Sequence, residues 1–399
     1  MNSSVANEGV AGATRHRCVA CQSPDAEVFW FAQDVPVFCN VLCDTRDAAQ
    51  QMPRGDIRLA FCPSCQLIYN VAFDPGRLDY GVEYENSLHF SPRFQKYADE
   101  LAARLVERYA LRGKTVVEIA CGKGDFLRSL CRLGGARGVG YDPAWAPEAD
   151  AGGDERVSFV QEYYSPEHTT PADLIVCRHA LEHIPDPVGF LKSVRASIGE
   201  RRDTAVFFEV PNGMYTIREM GIWDLIYEHC LYFVAGSLAR VFELAGFDVQ
   251  SVTEEFDGQF LTIEARPAAN AEVKRSADQP AVADDVRAFA KNYADKLAHW
   301  RGWLDEMRAD DRRAVVWGSG SKGVTFLNIL RPGERIEHVV DINPRKQGRF
   351  VAGAGQQIVA PESLREYGPD SVVVMNPVYL DEIRATVEAL GLSPEFLIG

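Results

Sequence analysis

Apolar and polar positions change period several times along the chain. In "SPRFQKYADELAARLVERYAL" (91–111) apolar residues recur every three or four positions, which predicts an amphipathic helix. The following block, "KTVVEIACGKGDFLRSLCRLGGARGVGYDPA" (114–144), predicts a buried strand over Thr115–Ile119, a glycine-containing turn, a helix, and a second strand ending at Asp142. Apolar runs in "ADLIVCRHALEHIPDP" (172–187) and "AVFFEVPN" (205–212) predict two more strands, and 236–246 a helix before "GFDV". Four strands alternating with helices are the pattern of a doubly wound α/β sheet, whose ligand sits at the carboxyl ends of the strands.

The periodicity breaks in "ARPAANAEVKRSADQPAVADD" (265–285), rich in Ala, Pro and charge, which reads as a linker before helical periodicity over 286–309. A second strand, glycine turn and helix follow in "RRAVVWGSGSKGVTFLNIL" (312–330). Gly318, Gly320 and Gly323 there stand in G-x-G-x-x-G spacing, and the next strand ends at Asp341. By spacing alone this turn is the better dinucleotide fingerprint of the two. The organisation expected is a tail over 1–15, a cysteine-rich module over 16–75, a first α/β domain over 76–265, a linker and helix over 266–310, and a second Rossmann-like domain over 311–399.

Composition narrows the function classes. The 399 residues are 46% hydrophobic and 25% charged, as in an ordinary globular protein, and the formal net charge of −15 argues against nucleic acid or an anionic membrane as partner. A small-molecule substrate is expected. No apolar run approaches a membrane span, and the first 17 residues lack the apolar centre of a signal peptide, so a cytoplasmic protein with a mobile tail is expected. Six of the ten cysteines, Cys18, Cys21, Cys39, Cys43, Cys62 and Cys65, fall in the first sixth of the chain. "CVAC" (Cys18, Cys21) and "CPSC" (Cys62, Cys65) read as two knuckles whose four thiolates suit a closed, structural Zn2+ site, with buried free thiols as the alternative. Cys39 and Cys43, alternating with apolar residues, read as core thiols.

The first glycine turn departs from a dinucleotide site. Its first slot is Ala120, and an acid, Glu118, sits inside the preceding strand. S-adenosylmethionine carries an amino acid and a sulfonium where a dinucleotide carries phosphates, so an acid and close backbone approach at Gly122 and Gly124 suit it better. Asp142, 18 residues beyond Gly124, stands where a carboxylate can accept both ribose hydroxyls, and Gln161 in "FVQEYY" (159–164) lies in the segment expected beside the adenine. An NAD site or a ligand-free strand turn remains the alternative. The set resembles a class I methyltransferase.

Two polar clusters lie at the expected mouth of the sheet. His179, Glu182 and His183 follow the third predicted strand; for His179 and Glu182 a packing role is the simpler reading. "IYEHCLYF" (226–233) follows the fourth. A four-cysteine module, a methyltransferase unit, an "EH" segment and a C-terminal Rossmann-like domain, in that order from about residue 16 to 399, resemble the sugar C-methyltransferases. That resemblance implies methylation of a carbon beside the ketone of a nucleotide-linked deoxysugar, with the C-terminal domain shaping the substrate cleft rather than binding NAD. It implies His229 as the base, Glu228 as its paired carboxylate, Tyr227 as a neighbouring phenol and His183 as a lining group. In the family one more residue separates the tyrosine from the Glu-His pair, which makes Tyr232 a substitute for Tyr227. Tyr80 and Tyr84 match a tyrosine-rich segment that folds over the cofactor.

A carbon acceptor needs such residues, because a proton alpha to a carbonyl must leave before the methyl group arrives, and a histidine oriented by a carboxylate suits that task. Arg178, Lys322, Asn343, Arg345 and Lys346 are candidates to hold a diphosphate. Asn376–Tyr379 departs from the aromatic-polar pattern of the family, which keeps a non-sugar acceptor open, as the second glycine turn keeps open an NAD-binding protein without methyl transfer. The sequence carries no signal for oligomeric state.

Overall fold

The computed structural model describes residues 15–78, 84–146, 153–168, 170–269 and 280–399. Three sheets organise them. The N-terminal sheet contains β1 (Arg15–His16), β2 (Ala26–Pro36), β3 (Arg54–Phe61) and β4 (Ile68–Asn70), all antiparallel. The knuckles occupy the turns after β1 and after β3. Their backbones match: Gln22 and Gln66, each following the second cysteine, adopt left-handed φ of 63° and 62°, and each donates its N–H to the carbonyl of the first cysteine, at 3.0 and 2.7 Å.

The central sheet is built from β5 (Thr115–Ile119), β6 (Arg137–Tyr141), β7 (Val157–Val160), β8 (Leu174–Arg178) and β9 (Ala205–Pro211), all parallel. Four of the five residues of β5 and all of β8 are buried, as expected of inner strands covered on both faces. Sequence periodicity counts four strands here; the structure adds β7, whose partly exposed edge position leaves only a short, weakly apolar run. After β9 the chain leaves this sheet, and β10 (Leu231–Tyr232) pairs with β4 at the edge of the N-terminal sheet. It then returns as β11 (Phe247–Glu255) and β12 (Phe260–Pro267), antiparallel, with β12 against β9. The resulting order, β11-β12-β9-β8-β5-β6-β7, is that of a class I methyltransferase sheet.

The third sheet, β13 (Ala314–Trp317), β14 (His338–Val340), β15 (Gln357–Val359), β16 (Ser371–Val374) and β17 (Glu395–Ile398), is wholly parallel in the order β15-β14-β13-β16-β17. The helix expected over 286–309 begins earlier, at Pro280, and runs to Ala309. Val286, Phe289, Tyr293, Leu297, Trp300, Leu304 and Met307 form its buried stripe, at spacings of three and four. That stripe faces two modules: Phe289 and Tyr293 meet Trp30 of β2 at 5.9 and 4.9 Å, and Trp300 meets Phe326 of the C-terminal domain at 5.0 Å. At roughly 1.5–3 kcal/mol per large buried apolar side chain, such a stripe holds the modules as one body. No described helix is long and apolar enough to cross a membrane.

Candidate active site

Both glycine turns open into one cleft of about 360 Å3, lined from all three modules. From the first turn come Ala120 and Gly122, with Glu118 behind them. Ala120, Gly122 and Gly124 all have left-handed φ, of 55°, 55° and 81°, while the amides of Cys121, Gly122 and Gly124 donate to Tyr141, Asp142 and Cys121 and pin the turn. Gly124 has a second constraint, since a Cβ there would run into the ring of Phe159. Asp142 sits beneath the turn at the end of β6, accepting from the N–H of Gly122 at 2.8 Å and of Ala144 at 2.7 Å. Glu118 is 3% exposed, its Oε2 has no hydrogen-bond partner among the described residues, and burial pushes its carboxyl up to about 8. A buried acid with one unpartnered oxygen, beside a turn that carries no side chain at Gly122, fits a cationic amino-acid ligand such as S-adenosylmethionine. Asp142, Gly124 and Gln161 do not line the cleft itself; Gln161 is exposed, and its amide lies 3.4 Å from the carbonyl of Pro143. Tyr80 lies outside the described residues.

Beyond the turn, Arg178 and His179 end β8. Arg178 donates twice to Glu209 of β9, at 3.0 and 2.8 Å, and Tyr97 donates to the same carboxylate. Burial disfavours that charge, but Arg178 and His179 outweigh it and hold Glu209 down at about 2. Arg178 is therefore already paired and is a poor candidate to hold a diphosphate. His179, with φ of 52°, turns the chain so that Glu182 and His183 enter the cleft. Glu182, read along the sequence as packing, lines the cleft. It is 1% exposed, neither oxygen accepts a hydrogen bond from another described residue, and burial pushes its carboxyl up to about 8.

The segment 226–233 divides in two. The His229 ring lines the cleft, 4.9 Å from the ring of His183. Its neighbours face the other way, because β10 begins two residues later and carries the chain into the N-terminal sheet. Glu228 is fully buried and accepts from the N–H of Cys39 at 2.8 Å, with Tyr84 as a further donor. The expectation that Glu228 fixes the tautomer of His229 is thus corrected: the His229 ring is held by the backbone carbonyl of Asp224, and the His183 ring by that of Glu228. Tyr227 is also corrected. It is 1% exposed, packs at a tilt against Phe73 with ring centroids 5.5 Å apart, sits over Gly55, and accepts from the N–H of Asp74 at 2.9 Å, away from the cleft. Tyr232 does not line the cleft either: its ring meets that of His229 edge-on at 6.2 Å, and its hydroxyl is bonded to the backbone of Ile226. Replacing Tyr227 by phenylalanine is expected to cost about 1–3 kcal/mol in denaturant unfolding, through the orphaned Asp74 amide, with turnover kept within about twofold.

The second turn supplies the opposite wall. Ser319 gives both its N–H and its hydroxyl to Asp341, at 3.0 and 2.5 Å, which ties the carboxylate after β14 to this turn as Asp142 is tied to the first. A Cβ on Gly323 would overlap the carbonyl of Gly318. Lys322 reaches Asp224 at 2.9 Å, Lys346 reaches Asn40 at 3.4 Å, and Asn343 and Arg345 both reach Glu85 at 3.2 Å. Gln259 and Asn376 exchange amide hydrogen bonds of 2.8 and 2.9 Å across the cleft, joining the central sheet to the C-terminal domain. Sequence reasoning missed Asp224 and Gln259, whose relevance exists only once the modules meet.

The four knuckle cysteines meet away from the cleft. Their sulfurs lie within 4.8 Å of one another, with Cys18 to Cys65 at 3.5 Å and Cys21 to Cys62 at 3.6 Å, and all four are unbridged. Zn–S bonds of about 2.3 Å in a tetrahedron place sulfurs about 3.8 Å apart, so the set fits such an ion. Cys39 and Cys43 are buried and stand outside this set, as expected of core thiols.

Strand order, turn and cleft together define an S-adenosylmethionine-dependent methyltransferase, and comparison with known proteins agrees. Residues 94–252 match the family model described as a methyltransferase domain, and residues 265–392 match the C-methyltransferase C-terminal domain. The C-methyltransferase NovU of Streptomyces niveus is 30% identical over 298 residues, 70% of each chain. The chain belongs to the C-methyltransferase family. A ubiquinone biosynthesis O-methyltransferase of Marinobacter nauticus is 32% identical over 97 residues, of which the match spans 22% of this chain and 40% of the relative. Among solved structures, a SAM-dependent methyltransferase from Aquifex aeolicus aligns with a TM-score of 0.37 at 17% identity, covering 49% of this chain and all of that one.

Proposed function

We propose that the protein methylates a carbon alpha to the ketone of a nucleotide-linked deoxysugar, with His229 removing the alpha proton. The observation that carries this reading is the His229 ring: it is presented to the cleft shared with the first glycine turn, oriented by a backbone carbonyl, while its sequence neighbours turn away. Bound S-adenosylmethionine supplies an electrophilic methyl group. His229 would take the alpha proton on its lone pair, leaving the C–H electron pair as an enolate for the methyl group that the cofactor would supply, the sulfonium C–S pair returning to sulfur as a neutral thioether. Glu118 and the Ala120–Gly124 backbone hold the cofactor's amino-acid end, and Asp142 its ribose.

Burial first, then the charges of His179 and Lys322, lower His229 to about 3 in the free protein. So weak a base needs help, and an anionic acceptor beside Lys322 supplies it, because negative charge favours the protonated ring. A diphosphate meets that need, which is why a nucleotide-linked acceptor is favoured in a chain that is otherwise acidic. Lys322, Lys346 and Asn343 are the cleft's donors for it. Titration calorimetry with nucleoside diphosphates is expected to show saturable binding that Lys322→Ala weakens; no heat from any of them would leave a non-sugar acceptor as the better reading. Asp142→Ala is expected to weaken cofactor binding at least about tenfold, the scale of losing a charged hydrogen bond of 1.5–3 kcal/mol. An unaltered dissociation constant would sink the ribose assignment. The four-cysteine cluster is assigned to a structural zinc ion, supported by its matched knuckle backbones and sulfur spacing.

A further inference from the structure

We propose that Glu182, His183 and His229 form a second metal site, for a divalent ion of the Zn2+ or Co2+ type, at the wall of the cleft. Their ligand atoms all lie within 4.8 Å of one another. Three ligands of one ion at metal–ligand bonds of about 2.0–2.2 Å stand about 3.3–3.8 Å apart, so shifts of at most about 1–1.5 Å close the set. The side chains are also held as ligands usually are. Each histidine ring is fixed through a backbone carbonyl, Glu228 for His183 and Asp224 for His229, the outer hydrogen bond that orients a metal-binding imidazole. Glu182, with its side chain 2% exposed, keeps both oxygens without a hydrogen bond from another described residue, and one lies 3.9 Å from Nε2 of His183. A carboxylate so placed is costly unless something cationic meets it.

Two imidazoles and one carboxylate select borderline divalent ions over Ca2+ or Mg2+. Three protein ligands leave a coordination position open toward the cleft, unlike the closed four-cysteine set. The functional consequence rests on the base role assigned to His229: coordination takes the same lone pair that removes the proton, so ion occupancy and proton removal exclude one another. The site then acts as a metal-sensitive brake on methyl transfer.

The test uses the full chain with its cysteine-bound ion in place, titrated with Co2+ and followed by equilibrium dialysis and visible absorption. One further ion per chain is expected, with ligand-field bands but no thiolate charge-transfer absorption. Glu182→Gln and His183→Asn are each expected to weaken it at least about tenfold, within the range seen when metal sites are perturbed. Absence of a saturable second ion overturns the proposal, as does unchanged affinity in both variants. Should a variant lose cofactor binding and so its fold, the wild-type spectrum decides, and a second ion showing only thiolate absorption overturns the site. Ligand-dependent binding with undiminished turnover sustains the site and overturns the base role of His229 instead.

Discussion

Replacing His229 by alanine is expected to lower the rate of methyl transfer by a factor of about 100 to 10,000, the usual contribution of a positioned general base, while cofactor affinity stays as it was. The separation is expected because the ring touches neither the Ala120–Gly124 backbone nor Asp142; it stands among His183, Tyr232 and Asp224. Single-turnover rates and cofactor titration on the same variant check both halves, and unchanged turnover would remove His229 from the role. The pH profile gives an independent reading. With the ring lowered to about 3, the free protein keeps its lone pair through the range where an ordinary imidazole protonates, so kcat/KM should not fall as pH drops through 6.5. An anionic acceptor raises the ring, so the acid limb of kcat should lie at higher pH than that of kcat/KM.

The second large effect is expected at the knuckles. Cys65→Ser should abolish stoichiometric metal binding and unfold the N-terminal sheet, because Cys18 and Cys62 are fully buried and the sheet there is small. Binding of a structural zinc ion is worth about 10–16 kcal/mol in small zinc modules, more than a sheet of this size secures by packing alone. The loss should not stop at the module. β10 is an edge strand of that sheet and begins two residues after His229, so losing β4 releases the segment that aims the ring. Metal analysis, circular dichroism and turnover on Cys65→Ser should therefore fall together, and chelation should reproduce the effect. Less than a few hundredths of an equivalent of metal in the purified protein would end the zinc assignment.

Much of the site is legible along the chain. The Ala120–Gly124 turn, Glu118 and Asp142 lie within 25 residues, where strand and helix periods and a carboxylate at a strand end are local properties. The knuckle pairs are legible for the same reason: C-x-x-C is a local turn, and only the joining of two such turns is long-range. Glu182 shows the limit. "LEHI" reads as packing because the class I methyltransferases it resembles carry such a segment as packing, yet the left-handed turn at His179 brings the carboxyl to the cleft wall.

By itself the sequence determined the two strand-turn-helix units and the cysteine pairs, because each is encoded in residues close in the chain; the candidacy of His229 came from the resemblance that the order of modules carries. Only the tertiary structure decided which members of "IYEHCLYF" face the cleft. Strand pairing of Leu231 with Tyr69, 162 positions earlier, turns Tyr227 toward Asp74 and Glu228 toward Cys39 and leaves His229, with Ile226, facing the cleft. It also decided what orients that ring, a carbonyl of Asp224 rather than the adjacent carboxylate, and it set Glu182 and His183 beside it. A side chain's direction depends on the partner strand that its backbone finds, and that partner is not written in its neighbours.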